Sequence, residues 1–193
     1  MVMVSIAGVF VSTLLRQRTR PLAVYGELGD FKLTNQLGHA VSLADLKGRV
    51  WVADIIFTRC PGPCLQMTRR MAAIQNALRS ETSVGFLSLT ADPAFDSPEV
   101  LKKYAQRFDA DSGRWQFLTG PKSEIYDLAT KGFKLAVQEN KDDKQSEDDR
   151  FIHSTRFVLV DRQGQLRGIS FDGTEPQIIP ELLRTVERLL KEG

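Results

Sequence analysis

Cys60 and Cys64 are the only cysteines in this 193-residue sequence, and they stand four positions apart in Cys60-Pro61-Gly62-Pro63-Cys64. Two thiols at this spacing can close a disulfide or hold a soft metal ion between them. Thiolate sulfur selects Cu(I), zinc or iron–sulfur chemistry over magnesium or calcium. A loop this short gains little from closure entropy, so a shared reactive site reads better than a structural staple. Proline suits the first turn of a helix, so Pro63 predicts a helix start there. That would put Cys64 in the first turn, with Cys60 folded back across the Pro-Gly-Pro loop. The unpaired N–H groups and positive dipole end of such a helix stabilise a thiolate, and Arg59, beside Cys60, is expected to add to the effect. A third donor, His153, lies at the mouth of the strand predicted over Thr155 to Val160. Two thiolates and one imidazole make a three-coordinate site suited to Cu(I), with room for a fourth ligand to Cu(II). By spacing alone, a solvated surface histidine fits His153 equally well.

These residues must be held by the elements around them. Val50 to Thr58 is a near-continuous apolar run, as expected of a strand in a sheet covered on both faces. From Leu65 to Leu78, Met67, Met71, Ile74 and Leu78 recur at the three-to-four spacing of one helix face. Phe31 to Thr34 and Ala40 to Leu43 predict a hairpin about Asn35-Gln36-Leu37-Gly38. Val84 to Leu89 and Trp115 to Leu118 read as strands, and Ser123 to Thr130 as a helix. Ser97-Pro98-Glu99 starts a further helix, with a capping serine and a proline at its first position, running to about Phe108. Phe157 to Val160 and Leu166 to Phe171 form strands about the turn Asp161 to Gly164, and Gln177 to Lys191 a closing helix. Strands alternating with helices, then a late hairpin and a last helix, predict an α/β fold with a mixed sheet flanked by helices.

Composition bounds the function. With 42% hydrophobic and 26% charged residues and a formal charge of +2, the chain is typical of a globular domain. The small charge, and the lack of basic runs interleaved with aromatics, argue against nucleic acid as a partner. Residues 1–15 are almost wholly apolar and are followed by Arg16, Arg18 and Arg20. The run is short of the roughly 20 residues of a bilayer span and lacks the basic start of a secretory signal. We read it as an uncleaved membrane anchor, against an amphipathic or buried helix as the alternative. Residues 16–29 follow as a linker, and 30–193 as the domain. Within the domain, Glu139 to Arg150 is an acid- and lysine-rich segment, expected as a solvated loop leading to His153.

Asp54 lies within an apolar strand, where a carboxylate is costly unless paired; it either tunes the cysteines or makes a structural hydrogen bond. Asp92 and Asp96 follow the Val84 to Leu89 strand on the edge that bears the cysteines, and read first as turn and capping residues. Met67 and Met71, at helical spacing, are expected in the core rather than on copper. Trp51 is expected in sheet packing and His39 at the surface.

The chain resembles the Sco/SenC family of thioredoxin-like copper proteins. The resemblance is carried by Val50-Trp51-Val52-Ala53-Asp54-Ile55-Ile56-Phe57-Thr58 with Cys60-Pro61-Gly62-Pro63-Cys64. It continues through Asp92-Pro93, Asp96-Ser97-Pro98-Glu99-Val100-Leu101, Leu118-Thr119-Gly120, and His153-Ser154 before Val158-Leu159-Val160-Asp161. It runs from about Leu28 to Leu190. It implies a thioredoxin-like sheet, copper as the metal, and Cys60, Cys64 and His153 as its ligands. It further implies a role in building the binuclear copper site of cytochrome c oxidase subunit II. That role would be copper delivery or reduction of the target's cysteines, from a domain tethered by an N-terminal membrane helix and facing the periplasm. Ile152 departs from the family's pattern, in which many members have an acidic residue before the histidine.

Three functions follow from these residues. A metallochaperone would release copper by ligand exchange as partner thiolates displace Cys60, Cys64 and His153 in turn. A thiol-disulfide oxidoreductase would attack a partner disulfide with one cysteine and resolve it with the other, so that both cysteines are catalytic. Against general oxidoreductase activity stand the three residues between the cysteines and the lack of a proline at Phe151-Ile152. A peroxidase of the peroxiredoxin type lacks its threonine three residues before the cysteine, since Thr58 lies two before Cys60.

Overall fold

The structure is a computed structural model that describes residues 21–140 and 151–192. Its elements run β1 (Gly26–Glu27), β2 (Lys32–Asn35), β3 (Ala40–Ser42), α1 (Leu43–Leu46), β4 (Val50–Ile56) and α2 (Pro63–Ala77). They continue with β5 (Val84–Thr90), α3 (Pro98–Gln106), β6 (Trp115–Thr119), α4 (Lys122–Asp127) extended by a π turn (Leu128–Gly132), and β7 (Val137–Glu139). The last are β8 (Phe151–His153), β9 (Arg156–Val160), β10 (Gln165–Asp172) and α5 (Ile178–Glu192).

Eight strands form one mixed sheet in the order β1-β10-β9-β4-β5-β6-β2-β3. β4, β5 and β6 are parallel, and their apolar runs are buried along most of their length, as central strands with covered faces require. β9 pairs antiparallel with the free edge of β4, and the β2–β3 hairpin pairs antiparallel with β6. Close packing sets one sequence choice at the centre. Gly85 lies opposite Trp51, and a Cβ there would come within 2.4 Å of the indole ring. The Trp51 Nε1–H donates to the Leu46 carbonyl at 2.6 Å.

The predicted helices form where periodicity and caps place them. Pro63 occupies the first turn of α2, and Met67, Met71 and Ile74 on its apolar face are fully buried. Both methionines are therefore core residues. In α3, Pro98 sits in the first turn and the Ser97 hydroxyl accepts the Val100 N–H, which satisfies one of the orphan donors of a helix start.

Two sequence expectations change. The linker read over 16–29 is already part of the sheet at its end: the Tyr25 N–H donates to Leu166, β1 pairs with β10, and Leu28 is buried. A two-residue strand carries too little alternation to show in the sequence. His153 stands just before β9, as read, but belongs to an element the sequence reading did not foresee. It ends β8, which pairs with β7 in a separate two-stranded ribbon, Val137 opposite His153 and Glu139 opposite Phe151. The apolar segment 1–15 and most of the Glu139 to Arg150 stretch lie outside the described residues. Among the described residues, no helix is long and apolar enough to cross a membrane.

Candidate metal centre

Parallel strands deliver loops to the edge formed by their carboxyl ends, and this chain places its reactive residues there. β4 leads into the Cys60–Cys64 loop, and β5 leads into the Asp92–Asp96 loop beside it. The loop before the cysteines is clamped by both acids. The buried Asp96 carboxylate accepts the Thr58 N–H at 3.2 Å, the Thr58 hydroxyl, and the Thr90 hydroxyl at 2.5 Å. Asp92, also buried, pairs with Arg59 at 2.8 Å and donates its own N–H to the Thr90 hydroxyl at 2.9 Å. Thr58 and Arg59, the two residues before Cys60, are thus each tied to one aspartate. These roles exceed the capping and turn formation read from sequence, although Asp96 does sit just before the Ser97 cap. Arg59 takes a different part from the one expected: its guanidinium pairs with Asp92 and lies 4.1 Å from the centre of the Phe95 ring.

Cys64 opens α2 and is fully buried; Cys60 sits at the lip, 9% exposed. The β7–β8 ribbon brings His153 across to them. Its Nε2 lies 3.0 Å from the Cys64 sulfur. The two sulfurs and one imidazole nitrogen all lie within 4.8 Å of one another. Two aromatic contacts and one backbone hydrogen bond seat the imidazole. Phe57, just after β4, meets the imidazole edge to face at 5.7 Å and the Phe151 ring at 5.2 Å. The third is a backbone one: the Ser154 N–H donates to Ala136, which extends the ribbon ladder past His153. Ile152, between the two inward residues, is 60% exposed, so the family's acidic position faces solvent here.

The two thiols are electrostatically unequal. The Cys60 thiol is lowered to about 4, chiefly by its hydrogen bond with Cys64. Burial opposes that shift, while His153 and the N–H groups of Cys64 and Gly62 reinforce it. Cys64 moves the other way: burial and the charge carried by Cys60 hold it well above the ordinary thiol range. The pair therefore shares one proton, kept by Cys64. The His153 Nδ1 lies 3.0 Å from the Ser154 carbonyl oxygen, which can only accept, so Nδ1 carries a proton and Nε2 is the atom free to face the sulfurs. Two soft sulfurs and an imidazole lone pair converging at one edge form a donor set that suits a soft, low-coordinate metal ion, and the same sulfurs are close enough to form a disulfide.

The residues singled out from sequence thus separate into two groups. Cys60, Cys64 and His153 come together. His39 is exposed and stands apart from them, and Trp51 packs in the sheet. Thr58 as the grip point of Asp96, and Phe57 as the wall behind His153, were not foreseen. An apolar-to-polar step just before a CxxxC pair is the one sequence signal that could have marked them.

A mixed α/β sheet with a thiol pair after its first long strand, and an imidazole facing it, defines a thioredoxin-like protein with a soft-metal or dithiol site. Comparison with known proteins narrows the class. The SCO1/SenC family pattern matches residues 22–190, and the chain belongs to that family. It is 40% identical over 142 residues to the SCO1 protein homolog of Bacillus subtilis, covering 72% of this chain and 71% of that one. Among solved structures it matches BsSco, a member of the Sco family of cytochrome c oxidase assembly proteins in which a disulfide switch has been identified. There the identity is 35% and the TM-score 0.73, over 88% of this chain and 98% of that chain. It also matches yeast Sco1 with copper bound at 26% identity and a TM-score of 0.67, over 84% of this chain and 89% of that chain.

Proposed function

We propose that this protein is a copper metallochaperone for assembly of the copper site of cytochrome c oxidase, holding copper as cargo between Cys60, Cys64 and His153. The observation that carries this reading is the convergence of the two sulfurs and the His153 Nε2 within 4.8 Å. The donor set fits copper, since thiolate and imidazole favour it and the thiols must be reduced to offer two sulfurs. The family supplies the direction: yeast Sco1 is known with copper bound, and BsSco belongs to a family of cytochrome c oxidase assembly proteins.

Loading follows from the charges described. Cys60 presents a thiolate at the lip of the site, so copper meets it first. Binding to Cys64 then expels the proton that Cys64 keeps, and Nε2 completes the set. Unloading runs in reverse, with thiolates of the cuproprotein target displacing the three donors in turn. The target is subunit II of the oxidase, approached by a domain that faces the periplasm and is held to the inner membrane through residues 1–15. A copper donor or thiol reductant prepares the protein for each cycle.

A second reading draws on the inequality of the thiols. A Cys60 thiolate with a retained thiol at Cys64 is the arrangement of a nucleophile and its resolving partner, so the protein could instead reduce a disulfide in the cuproprotein target. Anaerobic Cu(I) titration of the reduced protein, with His153→Ala alongside, separates the two. The chaperone reading predicts one tightly held copper per chain, weakened by the substitution. No tight copper, together with rapid reduction of a partner disulfide, would replace it with the oxidoreductase.

A further inference from the structure

Two large apolar side chains stand in water beside the metal centre, and the copper reading leaves both without a role. Phe95, in the loop between β5 and α3, is 44% exposed, and Ile152, on β8, is 60% exposed. Single exposed hydrophobics are ordinary on a protein surface. These two differ in bordering one site and in being held in place there. Arg59, the neighbour of Cys60, lies 4.1 Å from the centre of the Phe95 ring, and Asp92 pairs with the same guanidinium at 2.8 Å. Ile152 is turned outward by strand alternation, because Phe151 and His153 on either side of it turn inward to Phe57. The loop that carries Phe95 and the ribbon that carries Ile152 form the walls of a cleft of about 250 Å³. Ala91, Pro93 and Ala94 line one side, Glu139 and Phe151 the other. The charges at this cleft are answered within the chain, Arg59 by Asp92 and Lys122 by Glu139.

We infer, on the copper reading given above, that Phe95 and Ile152 form an apolar rim that docks the thiol-bearing loop of the cuproprotein target, a loop with apolar side chains beside its thiols. Cys64 is fully buried and Cys60 only 9% exposed, so exchange requires a partner sulfur to enter the mouth of the site. A sulfur that joins Cys60 in a mixed disulfide brings its own Cα within about 7 Å of that of Cys60. A shared ion lengthens this reach by little more than a bond. The partner's backbone must then lie against the residues that border Cys60 and His153, which are Arg59 with its stacked Phe95, and Ile152. Paired charges and bare apolar side chains there favour apolar neighbours over charged ones on the incoming loop. The size of the surface also selects the occupant. The cleft falls below the roughly 300 Å³ at which small-ligand sites begin, and suits the side chains of a protein. Two side chains and such a cleft fall short of the roughly 1,200 Å² that a stable interface buries, which fits a visitor that leaves after exchange and not a permanent second copy. Because both side chains are already fixed, docking them costs little ordering entropy.

The test is Cu(I) transfer from the loaded full chain to the reduced soluble domain of oxidase subunit II, followed as the domain concentration is raised. Phe95→Ser and Ile152→Ser are compared with wild type, and Phe95→Leu is the conservative variant. Leu37→Ser is the control. Leu37 is 41% exposed in the β2–β3 turn at the other end of the sheet, where Gln36 donates to the Trp115 carbonyl at the start of β6. Loss of Cu(I) to a small chelator, which needs no docking surface, is measured on the same proteins. Each serine variant is expected to raise the domain concentration for half-maximal transfer about ten-fold, the effect of losing one well-buried apolar contact at an interface. Phe95→Leu, which keeps most of the apolar area, should stay within about three-fold of wild type. The limiting rate, loss to the chelator and transfer by Leu37→Ser are expected to be unchanged. Half-saturation within about two-fold of wild type in both serine variants would overturn the inference. So would equal changes toward the chelator, which would place the two residues in the metal site itself, or an equal defect in Leu37→Ser, which would reduce the effect to general surface apolarity. If wild type binds no copper, the copper reading fails on its own. The same variants are then read in reduction of the domain's disulfide, where the Cys60–Cys64 bond forms as the target's disulfide opens and two electrons pass to the target. An unshifted half-saturation there, or no reaction with the domain at all, would overturn the docking rim.

Discussion

The two sides of the candidate site are built by different means. The sulfurs stand on the centre of the fold: Cys60 and Cys64 follow a fully buried strand, Cys64 opens a long helix, and Asp92 and Asp96 hold the residues before them. The imidazole stands on a ribbon of two three-residue strands outside the main sheet, kept in place by Phe151 against Phe57 and by the Lys122–Glu139 ion pair. One side is fixed by the core, while the other is docked onto it. For a protein that loads and releases an ion, this division gives a firm dithiol and a third donor that can be withdrawn at lower cost.

Substitutions can sharpen or break that comparison, the largest effect first. Cys64→Ser removes a donor from the firm side and should weaken Cu(I) binding about a thousand-fold, roughly 4 kcal/mol, in an anaerobic competition titration. Asp54→Asn acts on the floor of the same side. The folded carboxyl titrates near 7 against an ordinary 3.8, so the unfolded chain ionises first and wild-type stability falls as pH rises from about 4 to about 7. The variant should lack this slope in urea unfolding. It should be more stable than wild type above pH 7, on the order of 2–4 kcal/mol, with no advantage below pH 4.

Phe151→Ala tests the docked side. Loss of the buried ring should cost about 3 kcal/mol in chemical denaturation and weaken Cu(I) binding with the thiols intact. Asp96→Asn should cost about 2 kcal/mol, because the buried acceptor of Thr58 and Thr90 is lost, and should leave His153 in place as judged by its NMR resonances. Lys122→Ala removes a part-exposed ion pair and should cost less than about 1 kcal/mol by the same denaturation assay. If Lys122→Ala proved more damaging to copper binding than Phe151→Ala, the ribbon would be held by charge rather than by its aromatic contacts.

The same division governs what the sequence reveals. The dithiol side is local: an apolar run, a Cys-Pro-Gly-Pro-Cys loop and a helix with buried residues at Met67, Met71 and Ile74 are all visible within thirty residues. Ser97 and Pro98 likewise announce α3. The docked side is not local. His153 meets Cys64 across 89 positions, and β8 is too short, and too mixed in Phe151-Ile152-His153, to show a strand period. Family resemblance, not spacing, pointed to that histidine. Arg59 shows a further limit. Adjacency to Cys60 suggested a charge on the thiolate, but the Asp92 carboxylate, 33 positions away, claims the guanidinium. Such pairings depend on which loops the parallel strands deliver side by side, and no local pattern encodes that.

The central claim is that one copper binds to both sulfurs and the docked imidazole at once. X-ray absorption at the copper edge of the anaerobically loaded protein tests it most directly, with His153→Ala measured in parallel. The account predicts two sulfur neighbours and one imidazole nitrogen in wild type, with the nitrogen signal lost in the variant. Copper bound by sulfur alone, with identical spectra for the two proteins, would contradict it.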